Sequence, residues 1–249
     1  MVIARLAALV AVTAALVQCA PDPGPPATPS PATPSPATST AAEPAPETFR
    51  TVPRPPPTPP APTAGPAEIS SVTAADLGST WQPGCPLPPE RLRQVELDYR
   101  GFDGQTRRGQ LVVHEELTDA VITVFAELYR IGYPIERMRT VENYPDADDE
   151  LSMRDNNTSA FNCRNVVGRP GVRSPHAWGR ALDLNTWENP YRSSHGLVPN
   201  SWWQSRSHPR VAWRSSNHRV VAIMRSHGLR WTYGTADSHH FDAVSRSAK

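Results

Sequence analysis

From about residue 109 onward, apolar and polar positions fall into short alternating runs broken by two longer ones with helical spacing. The run "GQLVVHEEL" carries Val112 and Val113 and predicts a strand. "LTDAVITVFAELYRIG" places Val121, Val124, Phe125 and Leu128 on one face, with Thr118 or Asp119 as N-cap and Gly132 as stop, which predicts an amphipathic helix. "NHRVVAIMRSHG" repeats that spacing through Val220, Val221, Ile223 and Met224 and ends at Gly228. Strands are predicted over "PIERMRTVENY", "SAFNCRNVV" and "GRALDLN", with a final pair in "GLRWTYG" and "SHHFDAV". This order predicts a small α+β domain, its helices flanking a mainly antiparallel sheet. There is no internal repeat, and no glycine-rich phosphate loop follows a strand.

The N-terminal quarter has a different pattern. Residues 1–20 hold one positive charge, Arg5, and then an apolar run from Leu6 to Val17. That run is short for a bilayer core of about 30 Å and fits the apolar stretch of a secretory signal. "LVQC" at its end resembles a bacterial lipobox, with Gln18 where a small residue is usual, so Cys19 is a candidate lipidation site. The chain is therefore expected to be exported to the cell envelope, either lipid-anchored at the outer face of the membrane or secreted. Residues 21–67 are rich in proline, alanine and threonine and have almost nothing to bury, which predicts a disordered linker. In polyproline conformation, at about 3.1 Å per residue, it reaches at most roughly 145 Å. Residues 68–249 form the globular body, long enough for one core.

Charge and cysteine count narrow the chemistry. A formal net charge of +1 gives no electrostatic case for nucleic acid. Cys85 and Cys163 are the only cysteines of the body, and in an exported chain the pair predicts a disulfide. It would close a long loop, stabilising the fold by about 3 to 5 kcal/mol in the chain-entropy view.

The segment "SPHAWGRALDLN" combines a histidine, a glycine turn and an aspartate on one side of a strand. A catalytic zinc takes three ligands from histidine and carboxylate, with a further position for water. His176, Asp183 and one histidine of "DSHHF" meet that count. The tryptophans of "SWWQSRSHPRVAW" (Trp202, Trp203, Trp213) read mainly as buried packing, and "PDADDE" as a solvated acidic turn before a helix.

Together the two histidine segments resemble the zinc D-alanyl-D-alanine carboxypeptidases and the related endolysins that cut between L-alanine and D-glutamate. The first matches S-x-H-x-x-G-x-A-x-D; the second has an acidic residue three places before a histidine that precedes phenylalanine. "SMRDNNTSAFNCR" and "ENPY" further resemble the exported actinobacterial branch. The resemblance implies a hedgehog/D,D-peptidase-like zinc domain that hydrolyses the stem peptides of peptidoglycan. It makes His176, Asp183 and His240 the zinc ligands and Asp237 the catalytic base, and leaves His239 facing away, a supporting or surface residue. Asp237 and His240 converge only if a turn or bulge intervenes, since an offset of three in a regular strand separates the faces. Arg164, with Arg154 as competitor, is the cation expected to stabilise the oxyanion; the family's usual arginine position reads Glu142, Asn143 and Tyr144 here. Ser174 is a candidate for hydrogen bonding to substrate. The alternative is a non-catalytic, zinc-stabilised wall-binding module.

Overall fold

The structure is a computed structural model that describes residues 63–244; the leader, Cys19 and residues 21–62 of the linker lie outside the described residues. Its elements are strand β1 (Glu68–Ser71), helix α1 (Ala74–Leu77), strands β2 (Leu92–Arg100) and β3 (Thr106–His114), and helix α2 (Thr118–Arg130). Strand β4 (Arg137–Met138), helix α3 (Asp149–Arg154) and strands β5 (Asn157–Thr158), β6 (Ala181–Asp183), β7 (Tyr191–Ser193) and β8 (Gly196–Val198) follow. Helix α4 (Arg219–Ser226) and strands β9 (Leu229–Arg230) and β10 (His240–Ala243) complete the order. Among the described residues no helix is long and apolar enough to cross a membrane.

Two three-stranded antiparallel sheets organise the molecule. One runs β1-β2-β3 and the other β6-β10-β9. Val95, Leu97 and Tyr99 point inward from β2 while Glu96 and Asp98 point outward, the period of two that a half-buried strand needs; Leu92, on the other face, packs in a second cluster with Val112 and Phe161. Helix α2 lays Val121, Val124, Phe125 and Leu128 on the inward face, and α4 adds Val220, Val221, Ile223 and Met224. Leu182 and Phe241 of the second sheet, and Leu184 just after β6, enter the same core. Each fully buried side chain of this size contributes roughly 1.5–3 kcal/mol, so both sheets are locked to one scaffold.

The α+β reading and both amphipathic helices match the structure; several strands do not. Strand β2 is absent from the predicted set, although its alternation is plain. Of "PIERMRTVENY" only Arg137–Met138 forms a strand, beside an isolated parallel bridge from Pro134 to Arg100, and a 3-10 turn at Val141–Asn143 ends it. The Asn157 side chain replaces a strand partner there, accepting from Arg139 N (3.0 Å) and donating to Arg139 O (2.9 Å). "SAFNCRNVV" is extended but forms no named strand, because its amides go to different elements: Ser159 to Asp183, Phe161 to Val112 and Cys163 to Thr80. Helix α2 begins with Leu117 at the cap position, after a 3-10 turn over Glu115–Leu117.

Cys85 and Cys163 form a disulfide with Cα atoms 6.0 Å apart across a sequence separation of 78. Closing a loop of that length stabilises by about 4.5 kcal/mol in the entropic model. Replacing both cysteines by serine is expected to lower the melting temperature by roughly 10–18 °C, measured by thermal unfolding beside the reduced parent.

Candidate metal centre

Three side chains meet where the second sheet is crossed by the loop from "SPHAWG". His240 and Asp183 are direct cross-strand partners in the β6–β10 ladder, so both side chains leave the same face. His176 arrives on a 3-10 turn, Pro175–Trp178, whose N-cap is Ser174; the serine oxygen accepts from His176 N at 3.3 Å. Gly179 ends that turn at φ +60°, and a Cβ there would stand 2.6 Å from His114 N. Only glycine fits, since its carbonyl accepts from that same amide at 2.9 Å.

His176 Nε2 lies 3.0 Å from His240 Nδ1 and 3.2 Å from Asp183 Oδ2, and His240 Nδ1 lies 3.1 Å from Asp183 Oδ1. All three residues are buried. The outer nitrogens fix both rings: His176 Nδ1 donates to Ala160 O, and His240 Nε2 donates to Asp242 Oδ1 at 2.7 Å. With those protons placed, two imidazole lone pairs and a carboxylate converge on one point, an arrangement that requires a cation or a proton between them. The donor set of two histidines and one carboxylate fits zinc, and hydrogen-bonded outer nitrogens are what a metal-binding histidine needs. Burial opposes the charged form of His240, but Asp183 and then Asp242 outweigh it and push its pKa up to about 10. Burial likewise works against ionised Asp183, yet the neighbouring histidines, His176 foremost, hold it well below the usual carboxylate range. Asp242→Asn is expected to weaken zinc binding by about 10- to 100-fold, read by isothermal titration.

A cleft of about 510 Å³ opens over the cluster, lined by Asp149, Arg164, Ser174, Tyr191, Asp237 and His239 among others. Asp237 follows the 3-10 turn Gly234–Ala236, and β10 begins only at His240, so the expected bend is present. Two indoles hold that bend: Trp213 Nε1 and Trp231 Nε1 both donate to Ser238 O, at 2.6 and 2.8 Å. Trp213 is fully buried, whereas Trp202 is exposed under Arg206.

His239 does not face away from the site. It is buried, its Nδ1 donates to Asn189 O at 2.8 Å, and its Nε2 stands 3.2 Å from Asp237 Oδ1 and 3.9 Å from Asp183 Oδ1. The carbonyl of Asn189, two residues before β7, turns the ring inward. Asp237 Oδ1 has no aligned hydrogen-bond donor among the described residues and is buried. Arg164 lies in the cleft; Arg154 lies on the exposed side of α3, paired with Glu150. The "PDADDE" turn does precede a helix, with Asp148 as N-cap accepting from Glu150 N and Leu151 N. Its next residue, Asp149, is not solvated but pairs with Arg164 at 2.7 Å. No pattern of alternation points to that pair.

A buried two-histidine, one-aspartate cluster under a cleft lined by charged side chains defines a site compatible with a metal ion. Residues 167–243 match the family model described as D-alanyl-D-alanine carboxypeptidase. The resemblance read from the two motifs is thereby supported over this segment, which contains all three cluster residues and Asp237. No curated protein and no solved structure matches the chain.

Proposed function

We propose that the chain is an exported zinc metallopeptidase that hydrolyses peptide bonds in the stem peptides of peptidoglycan, on a hedgehog/D,D-peptidase-like domain. The observation that carries this reading is a complementary pair of buried atoms in one cleft that lack an aligned hydrogen-bond partner among the described residues: Asp237 Oδ1, an acceptor beside His239 Nε2 at 3.2 Å, and Arg164 Nε, a donor. A peptide bond under attack by water offers their counterparts, a proton to remove and an oxygen gaining charge. His176, Asp183 and His240 would hold the zinc, which when bound supplies a more acidic water and polarises the carbonyl. Asp237 takes the proton from the attacking water and returns it to the leaving amine. Arg164 donates to the oxygen on which negative charge builds. Ser174, whose oxygen caps the turn bearing His176, keeps its O–H to orient a substrate carbonyl. The family match supports a peptidase acting on cell-wall peptides; the apolar leader and proline-rich linker support export, with Cys19 as lipid anchor or with release.

Purified muropeptides provide the test, incubated with the zinc-loaded protein with and without chelator. Turnover that chelator abolishes and zinc restores is expected, and mass analysis of a defined pentapeptide stem then distinguishes loss of terminal D-alanine from internal cleavage. Chelator-insensitive turnover rejects the zinc mechanism, and zinc and wall binding without turnover points to a non-catalytic module.

A further inference from the structure

Arg164 is held at two points. Its backbone follows the disulfide-bonded Cys163, and its N–H and C=O are tied to Asn162 O (2.9 Å) and Ser174 N (3.1 Å). Its side chain meets one carboxylate at contact distance, Asp149 Oδ2 at 2.7 Å, and NH1 donates to Asn165 O at 3.3 Å. Nε is buried without a partner among the described residues. Both side chains line the cleft over the histidine–aspartate cluster, and both precede the segment that matches the family. Asp149 is itself largely buried, at 17 % side-chain exposure, and Asp148 fixes it at the first turn of α3.

We propose that Asp149 is a positioning residue, which holds the Arg164 guanidinium by one terminal nitrogen so that the free Nε–H faces the cleft. This rests on the peptidase reading of the site. The physical need is clear. An arginine side chain loses up to about 2 kcal/mol of rotamer entropy when fixed, and beside a divalent cation it is also repelled by like charge. A carboxylate at 2.7 Å offsets both effects and fixes the plane of the guanidinium through a charge-assisted bond. The charge on Arg164 is disfavoured by burial, but Asp149 outweighs this, aided by Asp183 and Asp237, so the side chain stays protonated. "PDADDE" thus supplies the cleft with the partner of its cation, from the first turn of a helix whose Met153 also lines the cleft.

The test compares the zinc-loaded full chain with Asp149→Asn, Arg164→Gln and the double variant. For Asp149→Asn the expected result is a 10- to 100-fold fall in kcat on a stem peptide, with KM within about threefold and zinc content unchanged. The double variant is expected to be no slower than Arg164→Gln alone, since one effect acts through the other. A second readout needs no turnover: the Arg164 Nε–H signal in nitrogen-labelled protein is sharp and slow to exchange in the parent, and broadens or vanishes in Asp149→Asn. Asp149→Ser, which also suits a helix start, serves in the same way should the asparagine variant not fold. Parent-like kcat, multiplicative losses in the double variant, or an unchanged Nε–H signal each overturn the proposal. If the parent itself cleaves no stem peptide, the peptidase reading falls, and the Nε–H signal alone decides whether Asp149 holds Arg164.

Discussion

Replacing Asp237 by asparagine is expected to lower kcat by about 10²- to 10⁴-fold, the range for loss of a general base, while zinc content and melting temperature stay at parent values. The separation follows from geometry. Asp237 is not one of the three converging residues, and the basic group beside it is His239, at 3.2 Å. Asparagine keeps the size and the bend held by Trp213 and Trp231, but cannot accept a proton at neutral pH. Its buried Oδ1 has no aligned donor among the described residues, so little folding energy depends on its charge. Steady-state kinetics on a pentapeptide stem, beside metal analysis of the same preparation, read both quantities. A kcat within threefold of the parent would exclude Asp237 as the base, and a loss of zinc would place it in the metal site instead.

Local pattern and short motif are what can be read directly from this chain. Helices α2 and α4 are visible because apolar residues at three- and four-residue spacing form a continuous stripe only when the backbone is helical. His176, Asp183 and His240 are visible through a resemblance that joins two segments, and the β6–β10 ladder shows why the segments are coupled: it sets Asp183 opposite His240. The hidden features depend on long-range backbone partners. The short strands β4 and β5 and the extended "SAFNCRNVV" alternate like strands yet pair for only a few residues, since side chains such as Asn157 take over the bonding. Sequence pattern misplaces His239 because its ring direction is set by Asn189 O, fifty positions earlier. It assigns Asp149 to solvent because acidic residues before a helix usually are solvated, and the partner that buries it lies in another element.

Zinc binding is expected to register as stability, and Asp183→Ala is expected to remove that response. At a zinc concentration 100 times the parent's dissociation constant, linkage stabilises the folded protein by about 2.7 kcal/mol. For a domain of this size that raises the melting temperature by roughly 5–11 °C. Asp183 is the central residue of the cluster, buried and within 3.2 Å of nitrogens from both His176 and His240. Loss of an outer hydrogen-bond partner already weakens a metal site by about 10- to 100-fold, so loss of a ligand atom should weaken it by at least the upper figure. The same zinc concentration then equals or falls below the variant's dissociation constant, and the stabilisation shrinks to about 0.4 kcal/mol or less. The quantity to compare is the zinc-induced increment within each protein, which cancels whatever the alanine does to the apo fold. An undiminished increment in Asp183→Ala would mean that the ion binds elsewhere. In that case the short contacts among His176, Asp183 and His240 are a shared-proton cluster, with no role in holding zinc.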